Sequence, residues 1–188
     1  MKNLKKKIIY LLFFLSIGNQ LLFAGEKEKI IQKINETNSI KFNFTQKTNE
    51  HVEEGFCILL FPKKLKCIYN NNNKDLILNN NKLAIIQKRY NKIYFYPTSR
   101  SFFYNILDKN ELIKIINISK LNIFNDEIHL TSNDTNKNKI TILFKKTNYD
   151  LLGWKIEDQF KNNILFSIDI NSTNEVINSD IFEIPKLN

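Results

Sequence analysis

The stretch Ser39 to Tyr69, SIKFNFTQKTNEHVEEGFCILLFPKKLKCIY, sets three strand-like runs one after another with almost no room between them. Ile40, Phe42 and Phe44 alternate with Lys41, Asn43 and Thr45, and Gln46 follows on the apolar side. A period of two sends every other side chain to one face, so this run predicts a strand with a single apolar face. Lys47 to Glu54 reads as a polar connection. Gly55 then opens FCILLF, apolar on both faces until Pro62 stops it. Such a run is buried on both sides or faces something apolar elsewhere in the chain. Leu65 to Tyr69 alternates again after Lys63 and Lys64, which makes Pro62-Lys63-Lys64 a hairpin connection. The three runs form the first wall of a curved sheet.

A chain of 188 residues suits one domain with a real core. Its 15 Phe and 7 Tyr supply that core with aromatic surface left over, and exclude a disordered chain. Residues 1–24 need separate treatment. Lys2, Lys5, Lys6 and Lys7 form a basic start, Ile8 to Phe23 is mostly apolar, and Leu22-Phe23-Ala24 ends it, which reads as a secretory signal peptide cleaved after Ala24. An uncleaved anchor is the alternative, but Ser16-Ile17-Gly18-Asn19-Gln20 interrupts the apolar run before it reaches the ~20 residues of a span. No cysteine near Ala24 offers a site for acylation, so a soluble product is expected.

Loss of those four lysines takes the formal charge from +9 to +5. The remaining lysines are scattered, Arg occurs only at Arg89 and Arg100, and no basic run interleaves with exposed aromatics, so nucleic acid is not an expected partner. Cys57 and Cys67 sit five residues either side of Pro62. A hairpin symmetric about Pro62 brings them face to face, where a disulfide and two buried thiols both fit. A metal site lacks a His or further Cys to complete it.

Gly25 to Glu36 has the spacing of a short amphipathic helix, with Ile30, Ile31 and Ile34 on one side. Strand runs follow at Leu76 to Leu78, Leu83 to Ile86 and Asn91 to Tyr96, the first two joined by a tight Asn79-Asn80-Asn81 hairpin. The period then breaks: Thr98 to Leu107 and Lys109 to Ile116 carry apolar residues at helical spacing. Four more strand runs are expected at Asn122 to Thr131, Lys139 to Lys145, Leu151 to Phe160 and Ile164 to Ile170, before a last run ending in Phe182-Glu183-Ile184-Pro185.

Enzyme chemistry has little to stand on. His51 and His129 lie outside any metal-ligand spacing or nucleophile motif, with His51 expected in a loop and His129 on a strand. There is no G-x-S-x-G and no P-loop, and the carboxylate pairs Glu53-Glu54 and Asp126-Glu127 fall near expected turns. No cofactor and no catalytic residue is expected. The apolar excess fits two readings: the side chains all fill a core, which is the simpler, or a sheet wraps round an apolar cavity.

Several motifs in order resemble the LolA family of periplasmic lipoprotein carriers. They are Phe42-x-Phe44-x-Gln46, the Gly55-to-Pro62 strand with its Lys63-Lys64-Leu65 return, Asn80-Asn81-Lys82 where the family has D-G-K, the aromatic helical segment before Leu107, Leu152-Gly153-Trp154-Lys155-Ile156-Glu157-Asp158, and Phe182-x-x-Pro185. The resemblance implies a mainly β, α+β fold over residues 25–188: an incomplete, strongly curved antiparallel β-barrel with a helical lid enclosing an apolar cavity. It also implies a monomeric periplasmic carrier of acylated lipoproteins, loaded by an inner-membrane LolCDE-like release complex and unloaded at the outer membrane, directly or through a LolB-like receptor. A lipid-binding or sensing domain of the same fold, or a secreted adaptor module with a filled core, are the alternatives. Many relatives place Arg just before the hairpin proline, where it bonds to the lid; this chain has Phe61, so closure is expected to rest on apolar contacts.

Side-chain parity on that framework selects Phe42, Phe44, Leu59, Phe61, Leu65, Tyr69, Leu78, Tyr94 and Tyr96 as the cavity wall, with Phe102 and Phe103 as its lid.

Overall fold

The first and last strands of one eleven-stranded sheet lie side by side at its middle, while two strands consecutive in the chain form its edges. The computed structural model describes residues 25–71, 73–98, 102–133, 138–157 and 161–186, and residues 102 and 103 through their backbone alone. The expected signal peptide, residues 1–24, lies outside the described residues.

Helix α1 spans residues 25–36. Six strands follow: β1 (Ser39–Thr48), β2 (His51–Leu60), β3 (Lys64–Tyr69), β4 (Lys74–Asn79), β5 (Lys82–Gln87) and β6 (Lys92–Tyr96). Helices α2 (Phe102–Ile106) and α3 (Lys109–Ile118) come next, then β7 (Lys120–Phe124), β8 (Glu127–Asn133), β9 (Lys139–Lys145), β10 (Leu151–Glu157) and β11 (Asn163–Thr173). All pairings are antiparallel, in the order β6-β5-β4-β3-β2-β1-β11-β10-β9-β8-β7. Two meanders are thus zipped together by β1 and β11. A connection between the outermost strands β6 and β7 must cross a face of the sheet, and α2 and α3 cross the inner one, where Ile106, Leu107 and Leu112 join the core.

Register aligns the apolar alternation into rows on that inner face. One row runs Ile40, Leu59, Leu65, Leu78, Leu83, Tyr96 from β1 out to β6. Another runs Gln46, Phe166, Trp154, Ile142, Leu130, Leu121 from β1 out to β7. Period two guarantees that once one residue of a strand faces inward its second neighbours do too. The doubly apolar run in β2 is now explained: Cys57 and Leu59 are buried on the inner face, while Phe56, Ile58 and Leu60 are half-buried on the outer one. The outer face of β3 and β4 is covered by the 3-10 turn Ser179–Phe182, whose Phe182 is fully buried.

Two positions require glycine. A Cβ on Gly55 would lie 2.2 Å from the Ile68 carbonyl oxygen and 2.7 Å from the Phe44 ring. Gly153 sits in a bulge of β10 at φ 132°, where a Cβ would lie 1.9 Å from the Phe166 oxygen.

Some boundaries differ from the sequence reading. The polar connection expected over Lys47 to Glu54 is mostly strand, because β1 and β2 pair out to Thr48 and His51 and turn through Asn49 at φ 54°. Backbone ladder bonds hold a strand whose side chains are solvated on both faces, so polarity alone misplaced the turn. His51 accordingly begins β2, though it is exposed there. The single run expected from Asn122 to Thr131 is two strands folded at Asn125, φ 52°. Asn again adopts the left-handed backbone that a tight turn needs. The helix expected from Thr98 is helical from Phe102 within the described residues, and α3 runs on to Ile118.

Candidate functional site

Between α1, α2–α3 and the middle of the sheet lies an apolar cleft. Its floor is Ile40 and Phe42 of β1, Leu59 of β2, Trp154 of β10, and Ile168 and Ile170 of β11. Its roof is Ile34 of α1 with Ile106, Leu107 and Leu112 of the lid helices. The walls enclose about 670 Å³ with the open mouth included, yet only about 40 Å³ of this admits the centre of a water-sized sphere. A drug-sized ligand takes ~300–1,000 Å³ of pocket, so an acyl chain can enter only if the roof moves.

Polar groups are confined to the rim. Lys33 Nζ lies 3.0 Å from Asp150 Oδ1, and the Thr37 hydroxyl donates back to the Lys33 carbonyl at 2.7 Å. Beside the floor, on the same face of the sheet, runs an aromatic ladder: Trp154 stacks on Phe166 at 4.3 Å, Phe166 on Phe44 at 5.1 Å, and Phe44 meets Tyr69 edge-on at 5.0 Å. Burial, helped by the negative charge of Glu53, pushes the Tyr69 hydroxyl up to about 12. It therefore stays neutral at physiological pH.

Of the residues selected by parity, Phe42, Leu59 and Phe61 line the cleft. Phe44, Leu65 and Leu78 are buried in the core beside it, and Tyr69 packs against that core. Tyr94 and Tyr96 lie on the predicted face but five strands from β1, at the sheet edge, 41% and 48% exposed. The side chains of Phe102 and Phe103 lie outside the described residues. Cys57 and Cys67 face each other across β2 and β3, Cα atoms 4.1 Å apart, and are joined as a disulfide. Sequence reasoning missed Ile34, Ile106, Leu107, Leu112, Trp154, Ile168 and Ile170 as wall residues. Their apolar spacing was readable, but which strand β1 would pair with on its second side was not.

The roof closes over apolar side chains, with Phe61, Ile106, Leu107 and Leu112 lining the same cleft, and polar ties at its edge add to this. The hairpin turn supplies them one residue past the proline: the Lys63 backbone N–H donates to the Leu107 carbonyl at 2.9 Å, and Lys63 Nζ lies 2.9 Å from Asp108 Oδ2 and over the Tyr104 ring. Lys63 reaches the lid because the turn puts it at φ 57°, so its side chain and its N–H both point at the α2–α3 junction. Asp108 does double duty, accepting from the Asn110 and Glu111 N–H groups at the start of α3. Burial alone would raise the Asp108 carboxyl, but the Lys63 hydrogen bond and the helix-start N–H groups outweigh it and hold it below the usual value. The same contact with Asp108, then Tyr104, raises Lys63. Elsewhere on the lid, Tyr104 donates to Asn81 at 2.5 Å, Lys109 to the Asn35 carbonyl at 3.0 Å, and Lys27 of α1 to the Ser119 carbonyl at 2.7 Å.

A half-open antiparallel sheet roofed by helices over an apolar cleft is the architecture that the motifs implied. Matching the chain against protein families gives the outer membrane lipoprotein carrier protein LolA over residues 35–185. The chain belongs to the LolA family. Solved structures agree on this LolA-like fold at low identity. An uncharacterized conserved protein from Thermus thermophilus aligns with TM-score 0.53 and 9% identity, covering 87% of this chain and 94% of that one. A DUF1329 family protein from Desulfovibrio piger gives 0.50 and 6%, covering 85% and 96%. The Pseudomonas aeruginosa MucA/MucB complex gives 0.50 and 9%, covering 87% of this chain and 61% of that chain. Among curated proteins no sequence matched. In this LolA-family chain the lid contact comes from Lys63, after the proline, and Phe61 lines the cleft.

Proposed function

We propose that this protein is a periplasmic carrier: residues 1–24 direct export, and residues 25–188 bind the acyl chains of lipoproteins released from the inner membrane and carry them to the outer membrane. The observation that carries this reading is the narrow apolar cleft under a roof of buried side chains and a few polar contacts. Each methylene moved out of water contributes ~0.8 kcal/mol, so a chain of about 16 carbons costs roughly 12 kcal/mol to expose. A carrier must cover that surface and still release it. A roof that must be pushed open uses part of the binding energy, leaving enough for transfer to a tighter acceptor. Family membership supports LolCDE-like and LolB-like partners as part of this proposal, and no catalytic role is assigned.

Native mass spectrometry tests this. Protein exported to the periplasm, purified without detergent and given a triacylated lipopeptide, forms a one-to-one adduct. Phe61→Asp, which puts a charge into the cleft wall, abolishes the adduct while circular dichroism stays unchanged. A well-folded protein that takes up no lipopeptide has a filled core and is an adaptor module. Uptake of free lipids without lipopeptide makes it a lipid-binding or sensing domain.

A further inference from the structure

The sheet has a second unusual feature, remote from the cleft. Between Asp75 and Asp108 the sequence holds no acidic residue, but it holds Lys82, Lys88, Arg89, Lys92 and Arg100. Within this stretch lies β6, the outermost strand, and three consecutive residues of it are exposed: Tyr94 at 41%, Phe95 at 66% and Tyr96 at 48%. Tyr90, just before it, is 60% exposed. The sequence pattern suggests that cations and exposed aromatics do not interleave; around β6 they do. Lys88 is neutralised by Asp75 at 2.8 Å, whereas no carboxylate among the described residues pairs with Lys82, Arg89 or Lys92.

Edge strands are normally blunted, because an unpaired row of N–H and C=O groups invites another strand. The opposite edge strand, β7, presents less apolar surface: Leu121 is buried, Ile123 packs on the core, and the exposed Phe124 rests against His129 at 4.9 Å. In β6 the outward backbone groups have no partner among the described residues, and aromatic rings project from both faces.

We propose that β6 docks an extended, acidic segment of another protein, which adds as a twelfth strand to this edge. Backbone pairing would satisfy the outward N–H and C=O groups, Tyr94 and Tyr96 on one face and Phe95 on the other would pack against alternate side chains, and Arg89 and Lys92 would select carboxylates. A lipid surface fits worse: aromatics on both faces would carry the unpaired backbone into the bilayer, where it stays unsatisfied. A second copy of the chain would bring the same uncompensated cations together.

The test uses the full exported chain and two synthetic peptides of alternating residues, glutamate–valine and lysine–valine. In amide hydrogen exchange read by NMR, the glutamate peptide protects β6 backbone amides and the lysine peptide does not. The double variant Arg89→Glu/Lys92→Glu weakens the glutamate peptide roughly tenfold or more and reverses the preference. Both side chains are exposed, so its thermal midpoint stays put. Phe95→Ser, which keeps the charges, weakens binding several-fold. Equal binding of both peptides, or protection anywhere but β6, overturns the proposal. So does binding to phosphatidylglycerol vesicles without peptide binding, which makes the partner a membrane, or concentration-dependent dimerisation in its place.

Discussion

At the scale of single residues, the least replaceable atoms in this protein are hydrogens. Gly55 separates Phe44 from Tyr69 in the cross-strand row, and the Phe44 ring fills the space that a side chain would take. Gly55→Ala forces a methyl against a backbone oxygen, and overpacking of this kind costs ~1–3 kcal/mol. The urea midpoint should fall accordingly; an unchanged midpoint would mean that β2 and β3 part easily. Cys57 and Cys67 close a loop of 10 residues in sequence. Loop-closure entropy for so short a ring is ~2–3 kcal/mol, so reduction should lower stability by about that amount and leave the spectrum of the folded protein unaltered. Both residues were identifiable from sequence as a facing pair. Their joining was not, since buried thiols satisfy the same pattern.

Among the elements, the lid matters most, and an ion pair adds to its apolar packing. Lys63 and Asp108 are partly exposed, so their pair is worth up to ~1 kcal/mol. Removing it with Lys63→Met or Asp108→Asn should raise exchange of the α3 amides up to about fivefold and bring lipopeptide on faster. Trp154, the sole tryptophan, lines the cleft and reports entry by its fluorescence. The sign of the pH dependence follows from the shifts. Asp108 is depressed, so its contribution is complete above the ordinary ~3.9 and fades as pH falls through its lower folded value. Lys63 is raised, so its contribution is complete below the ordinary ~10.4 and is lost as pH climbs through its higher folded value. Exchange of the lid amides, corrected for intrinsic rates, should be flat between about pH 5 and 9 and rise in acid. A step near neutrality would assign control of the lid to another group.

For the whole molecule, the seam between β1 and β11 is decisive. It joins residues 40–48 to residues 164–173, and Asn174 strengthens it by bonding to Ser39, Asn38 and Glu36. Contacts this distant in sequence are closed late and at high entropic cost, so refolding should take milliseconds to seconds. Stopped-flow fluorescence of Trp154, which sits on the far side of the seam from β1, measures it. A microsecond phase carrying the full signal would mean that the second meander folds without the first.

Alternation in Ser39–Tyr69, the Asn-rich turns and the helical spacing before Leu107 made the strands, the hairpin and the lid legible, because each depends on neighbours within a few residues. Parity placed Phe42, Leu59, Phe61, Tyr94 and Tyr96 on one face for the same reason. What separates the first three from the two tyrosines is their distance from the seam, and no local pattern encodes it. The contact of Lys63 with the lid likewise depends on one left-handed turn that no local apolar pattern marks. Local periodicity therefore determined which residues face inward, while long-range strand order, a property of tertiary packing alone, decided which of them meet across a cleft.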